Sequence, residues 1–107
     1  MQSCEIAISN ALGLHARAAA KFVHTAGRFA ARVLVARGGR EVDGKSIMGL
    51  LLLAAAQGSA IRITADGADE DEALAALCAL VERGFDEGPL DAPRENRVDP
   101  AGGKPCA

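Results

Sequence analysis

The chain has 107 residues, half of them hydrophobic, which suits one domain with a modest core. Its net charge of −2 gives no overall sign of a nucleic-acid partner, and base-stacking platforms are missing, because the chain has no Trp or Tyr and only three Phe. The longest apolar run, Leu50 to Ala56, is far too short to span a bilayer, and the N-terminus lacks a signal-peptide pattern. We therefore expect a cytoplasmic protein with no membrane insertion.

The cysteines give no sign of a disulfide framework or a thiolate zinc site. Cys4, Cys78 and Cys106 are odd in number and widely spaced, and the sequence has no CxxC motif. This pattern predicts reduced thiols in a cytoplasm.

The first half of the chain predicts a strand, a helix and a hairpin. Residues 2–9 alternate apolar and polar side chains, as a half-buried strand does. After a turn at 10–14, apolar residues recur at helical spacing from about Ala16, and Gly27 can end that helix. Residues 31–37 read as a strand that returns as "REVD" through a two-glycine turn.

The second half predicts two further helices around a fourth strand. Ser46 opens a short apolar helix, "SIMGLLLLAA", which closes near residues 57–58. Residues 60–66 alternate as a strand. Asp69 with Glu72 resembles a capping box before a final amphipathic helix.

The element order β-α-β-β-α-β-α indicates a two-layer α+β sandwich with a largely antiparallel sheet. All four prolines follow Phe85, and the last stretch has little periodicity. The sequence thus predicts a domain over residues 1–85 and a disordered tail over residues 86–107.

His15 lies where a turn meets the predicted first helix. A helix N-terminus offers unpaired backbone N–H groups and a positive dipole end, and Arg17 follows two residues later. An anion there would be held beside a neutral imidazole, which is nucleophilic near neutral pH, so the corner suits transfer of a phosphoryl group. The plainer alternative is a surface or capping histidine. One face of the same helix carries a basic stripe: Arg17, Lys21, His24 and Arg28.

Ser46 and the helix after it form the second notable stretch. Ser46 suits a helix N-cap, and a phosphate on it would be tolerated at the helix N-terminus. The helix is apolar nearly all round, so either part of it faces a partner or it is buried on most sides. The acidic run at residues 66–72 fits helix capping better than a metal site, and no metal is expected.

The stretches "GLHARAAAKFV" and "EVDGKSIMGLLLLAA" together resemble the histidine-containing phosphocarrier (HPr) family of the bacterial phosphotransferase system. The resemblance covers Cys4 to Phe85. It implies an open-faced β-sandwich of a four-stranded antiparallel sheet covered by three helices. It also implies a carrier that is not an enzyme and needs no cofactor.

The resemblance assigns roles to matching residues. His15 would receive a phosphoryl group on Nδ1 from enzyme I and pass it to a histidine of an EIIA-type domain. Arg17 and the backbone amide of Ala16 would stabilise that group. Ser46 matches a serine that a kinase (HPr kinase/phosphorylase) modifies in some bacteria. The implied partner-binding patch consists of Ala20, Ile47, Met48 and Leu51.

One position departs from the family pattern, since Ala18 stands where many members have proline. Alanine adds an N–H group and favours helix, so we expect transfer to persist. The motifs look proteobacterial, which favours a regulatory, nitrogen-related branch over sugar uptake. We expect a monomer. Two alternatives remain: a module that regulates a partner by binding alone, and a hydrolase using His15 as base, for which no paired nucleophile is evident.

Overall fold

A computed structural model describes residues 1–86, as four strands, three helices and a short terminal 3-10 turn. The strands are β1 Gln2–Ala7, β2 Arg32–Arg37, β3 Arg40–Asp43 and β4 Ala60–Asp66; the helices are α1 Ala16–Ala26, α2 Ile47–Leu52 and α3 Glu70–Glu82. The order β-α-β-β-α-β-α is as predicted. Except for Asp86, which lies in the 3-10 turn, the predicted tail falls outside the described residues.

The four strands form one antiparallel sheet in the order β1-β4-β2-β3. Alternation along each strand sends one set of side chains to the helices and the other to the open face. In β4, Ile61 and Ile63 are buried, whereas Arg62 between them is exposed. The predicted open-faced sandwich is confirmed, because all three helices pack on this apolar face of the sheet.

Each helix contributes large side chains to the main core on this face of the sheet. Phe22 of α1, Leu50 of α2 and Leu77 of α3 are almost completely buried there. Ala18, at the position where many family members have proline, is also fully buried. Within residues 1–86, no helix is long and apolar enough to cross a membrane.

Helix α2 ends at Leu52 and not near residues 57–58 as predicted, because the β2–β3 hairpin caps its end. Nη1 of Arg37 donates to the carbonyl oxygen of Leu53 at 3.2 Å, and Nη1 of Arg40 donates to that of Leu52 at 3.3 Å. These bonds satisfy carbonyls that a continuing helix would use. Ala54 then turns away with a φ of 51°. The apolar run continues past the helix, which is why hydrophobicity alone overestimated its length.

The predicted capping box at the start of α3 was wrong. Asp69 makes no side-chain cap bond; instead its carboxylate accepts from the N–H groups of Ala30 and Ala31, at 2.9 and 2.8 Å. The bond from Ala30 is the main reason why the pKa of Asp69 lies below its ordinary value. Asp69 therefore ties the start of α3 to the chain entering β2.

The predicted reduced thiols were also not what the structure contains. Cys4 of β1 and Cys78 of α3 are joined by a disulfide across 74 residues of sequence, with Cα atoms 7.8 Å apart. The topology brings them together, since α3 packs on the face of β1 to which Cys4 points. Such a pairing leaves no spacing signal in the sequence. Cys106 lies outside the described residues.

Candidate functional site

The loop that precedes α1 is fixed by hydrogen bonds at both of its ends. The side-chain amide of Asn10 donates to the carbonyl oxygen of Gly13 at 2.8 Å, closing the turn. The N–H of Leu14 donates to the carbonyl oxygen of Ala55 at 2.8 Å, and the Leu14 side chain is buried. Gly13 has a φ of +69°, and a Cβ there would lie 2.6 Å from the same Ala55 oxygen. These contacts fix Gly13 and Leu14 on the segment that follows α2, and so fix the position of His15, which comes directly after Leu14.

His15 is the N-cap of α1 and is half-buried. Its backbone is extended, and its ring nitrogen Nδ1 accepts a hydrogen bond from the N–H of Arg17 at 3.1 Å. A nitrogen that accepts carries no proton, so the proton of the neutral ring is on Nε2. The lone pair of Nδ1 is consequently aimed at the N-terminal end of the helix.

The first turn of α1 is suited to holding an anion beside that nitrogen. First-turn N–H groups have no carbonyl partner within the helix, and the helix dipole places partial positive charge at them. Ala16 and Arg17 are the first two residues of the helix, and the Arg17 side chain is exposed. An anionic group on Nδ1 could thus take the Arg17 N–H that now bonds the ring.

The predicted basic stripe lies along an open groove between α1 and the end of α3, and its last residue, Arg28, lies just beyond the end of α1. The groove has a volume of about 460 Å³, and the stripe residues that line it are Arg17, Lys21, His24 and Arg28. The Nζ of Lys21 donates to the carbonyl oxygen of Phe85 at 2.8 Å. Asp86 also lines the groove, and its hydrogen bond from Arg83 lowers the pKa of its carboxyl group. The stripe therefore continues from His15 as a mainly cationic surface.

Ser46 is the N-cap of α2, as predicted. Its Oγ accepts from the N–H of Gly49 at 3.1 Å, and the side chain is half-buried. The start of α2 is further fixed by Asp43, whose carbonyl oxygen accepts from the N–H of Ser46 at 3.1 Å.

Large apolar side chains are exposed around α2 and the loop before α1. Met48 is 69% exposed, Leu52 is 60% exposed and Ile47 is 40% exposed. Leu12, in the loop, is 58% exposed. We call the exposed large side chains of α2, which are Ile47, Met48 and Leu52, the apolar patch.

The apolar patch differs in part from the set expected from the sequence. Ile47, Met48 and Ala20 are exposed, whereas Leu51 packs against the core and is half-buried. Leu52 and Leu12 are also exposed, and neither was named from the sequence. Leu52 lies one turn after Met48 and could have been found from that spacing, whereas Leu12, in a turn, leaves no periodic signal.

Comparison with known proteins places this chain among the phosphocarriers. The family model described as "PTS HPr component phosphorylation site" matches residues 2–83. "Phosphocarrier protein HPr" of Cupriavidus necator is 53% identical over 81 residues, covering 76% of this chain and 91% of that protein. A crystal structure of HPr from Thermoanaerobacter tengcongensis superposes with a TM-score of 0.80 at 43% identity, covering 82% of this chain and 99% of that one.

Two further matches differ in name or assembly. "Phosphocarrier protein NPr" of Shewanella violacea is 42% identical over 83 residues, covering 78% of this chain and 91% of that protein. A solved HPr dimer from Thermoanaerobacter tengcongensis has a TM-score of 0.64 at 44% identity, covering 79% of this chain and 98% of that one.

Proposed function

This chain belongs to the HPr family of phosphocarrier proteins of the phosphotransferase system, and from that premise we propose that it carries a phosphoryl group on His15. The group comes from the phosphohistidine of enzyme I and goes to a histidine of an EIIA-type domain. Members of this family are carriers, not enzymes, so turnover requires both partners. The hydrogen bond from the Arg17 N–H to Nδ1 of His15 is the observation that carries the proposal.

From that bond we infer how the transfer proceeds. The Nδ1 lone pair attacks phosphorus, and the bond from phosphorus to the donor histidine breaks as the new bond forms. The Arg17 N–H releases Nδ1 and donates to a phosphoryl oxygen, so this N–H keeps a hydrogen-bond acceptor throughout the transfer. The amide of Ala16 and the guanidinium of Arg17 supply further stabilisation of the negative charge.

The product is a phosphoramidate, whose lability lets the group leave again. We expect intact mass to rise by one phosphoryl group when the chain is incubated with phosphoenolpyruvate and enzyme I, and acid to reverse the gain. His15→Ala should abolish it. His24→Ala is the matched control, because His24 is an exposed histidine on the same helix and should be dispensable.

Two outcomes would contradict this assignment. An acid-stable phosphate would not be a phosphohistidine. Phosphorylation that survives His15→Ala but is lost in His24→Ala would show that His24 is the phosphorylated residue.

We propose that Ser46 is a regulatory phosphorylation site and that the apolar patch, with Ala20, docks both partners. A phosphate on Ser46 would add negative charge directly beside Ile47 and Met48, which are exposed. We therefore expect an HPr kinase with ATP to modify the wild type but not Ser46→Ala, and enzyme I to transfer more slowly to the modified chain. An unchanged rate of transfer would show that phosphorylation of Ser46 does not affect the docking of enzyme I.

The exposed apolar patch also favours a second function, regulation of a partner by binding alone. His15→Ala discriminates, because a binding module keeps its output and a carrier loses it. Met48→Asp is the complementary variant: it should impair both functions.

We further propose a cytoplasmic monomer whose residues 1–85 form the carrier domain, acting in the nitrogen-related branch. Sedimentation tests the monomer against the dimeric arrangement known for a relative. The branch is tested by comparing transfer from the phosphorylated chain to EIIA domains of the nitrogen-related branch and of sugar uptake. Both are compared because relatives carry both HPr and NPr names.

A further inference from the structure

The chain holds a pair of cysteines that phosphoryl transfer does not use. The sulfur atoms of Cys4, on edge strand β1, and Cys78, on α3, are joined in the structure. We propose that this pair is an oxidation site, at which a hydroperoxide converts two thiols into a disulfide that ties β1 to α3. The inference rests on the proposed cytoplasmic location for its resting state, in which both thiols are reduced.

The fold brings the two sulfur atoms together by contacts that do not depend on the bond. Strand β1 pairs with β4 along its whole length, from Gln2 opposite Ala65 to Ala7 opposite Ala60. Helix α3 is anchored in the core by Leu77, which is fully buried beside Cys78 in sequence. Reduction therefore leaves the strand and the helix in place, with the thiols still facing each other.

The backbone spacing is compatible with two separate thiols. The Cα atoms of Cys4 and Cys78 are 7.8 Å apart, whereas most disulfides span about 4.4–6.8 Å. Both residues are half-buried, at the edge of the sheet and not sealed inside the core. A small oxidant or a dithiol reductant can consequently reach them.

The chemistry needs only the two side chains and the oxidant. One thiolate attacks the O–O bond of the hydroperoxide, which gives a sulfenic acid and releases an alcohol, or water from hydrogen peroxide. The second sulfur then attacks the sulfenic sulfur, the S–S bond forms, and water leaves with the remaining proton. Two electrons pass from the two sulfurs to the peroxide, and a dithiol reverses the change.

The cross-link should stabilise the fold without blocking the carrier site. It closes a loop across 74 residues, which restricts the unfolded chain strongly and should raise Tm on the order of 10 °C. The disulfide joins β1 to α3, whereas the hydrogen bonds that place His15 come from Arg17 and from the pairing of Leu14 with Ala55. Phosphorylation of His15 should therefore proceed at the same rate in both redox states.

The test uses the full chain with Cys106→Ser, which removes the third thiol. Reduced protein is exposed to hydrogen peroxide, denatured, alkylated and mapped by mass spectrometry under non-reducing conditions. We expect a linked pair of peptides containing Cys4 and Cys78, with a rise in Tm that dithiothreitol reverses. The matched control adds Cys78→Ser, in which the sulfenic acid on Cys4 should persist long enough for trapping by dimedone, with no rise in Tm.

The inference is overturned if peroxide leaves both thiols open to alkylation, oxidises them separately to sulfinic acids, or links them only between chains. None of these readouts uses enzyme I. A failure of His15 phosphorylation and a failure of the cysteine pair are therefore scored independently.

Discussion

Replacing Gly13 by alanine tests whether the loop before α1 is what places His15. Gly13 combines a left-handed backbone with a close approach to the segment after α2, where a Cβ would lie 2.6 Å from the carbonyl oxygen of Ala55. That oxygen also accepts from the N–H of Leu14. A methyl group at this point must push the loop away from Ala55 and lengthen the bond that holds it.

The magnitude follows from two separable contributions. A left-handed conformation costs a residue with a Cβ about 1–2 kcal/mol relative to glycine. Forcing an added methyl against backbone atoms costs about 1–3 kcal/mol more. Gly38→Ala is the matched control, because Gly38 has a φ of +60° but nothing within 4 Å of its added Cβ. The difference between the two variants isolates the contact with Ala55.

Urea unfolding measures the free energy of unfolding for both variants, and enzyme I-dependent phosphorylation measures the site. We expect Gly13→Ala to lose more stability than Gly38→Ala by about 1–3 kcal/mol, and to be phosphorylated more slowly when fully folded. Equal losses in the two variants would refute the close approach. A destabilised Gly13→Ala that is phosphorylated at the wild-type rate would refute its role in placing His15.

Three further predictions concern the elements around the site. Leu50→Ala, deep in the core, should lose about 3 kcal/mol in urea unfolding, whereas exposed Leu52→Ala should stay within about 0.5 kcal/mol; similar losses would contradict the assignment of faces on α2. Ser46→Ala should lose about 1 kcal/mol by the same measurement, and Ser46→Asp should restore most of it; no recovery would mean that capping is not the cause. Because its folded-state pKa is lowered, Asp69 stabilises above its unfolded-state pKa of about 3.9 and loses this effect as pH falls through the lower folded-state pKa. The loss of unfolding free energy in Asp69→Ala relative to the wild type should therefore shrink below about pH 4 when both are measured as a function of pH. A loss that grows below that pH would contradict a lowered folded-state pKa of Asp69.

The strands and helix starts could be predicted because each depends on local periodicity. The alternation of Ile61 and Ile63 with Arg62 fixed the limits of β4 as observed. Ser46 and His15 precede apolar repeats and do cap their helices. In these places a residue's own neighbours in sequence determine its environment.

The features that were missed depend on contacts between distant segments. Asp69 looks like a local cap, but it bonds the backbone of Ala30 and Ala31, 39 and 38 residues away. Helix α2 ends where Arg37 and Arg40 reach its carbonyls from the hairpin, which no pattern within the helix reveals. Partners of this kind become visible only once the strand order is known.

The strand order also decides when the site can form during synthesis. Strand β1 pairs with β4, which lies more than 50 residues later in the chain, and such non-local pairing makes folding slower than in helical bundles. The loop from β1 to His15 takes its anchor from Ala55. A nascent chain that has not yet released β4 from the ribosome consequently has the His15 residue but lacks the geometry that surrounds it.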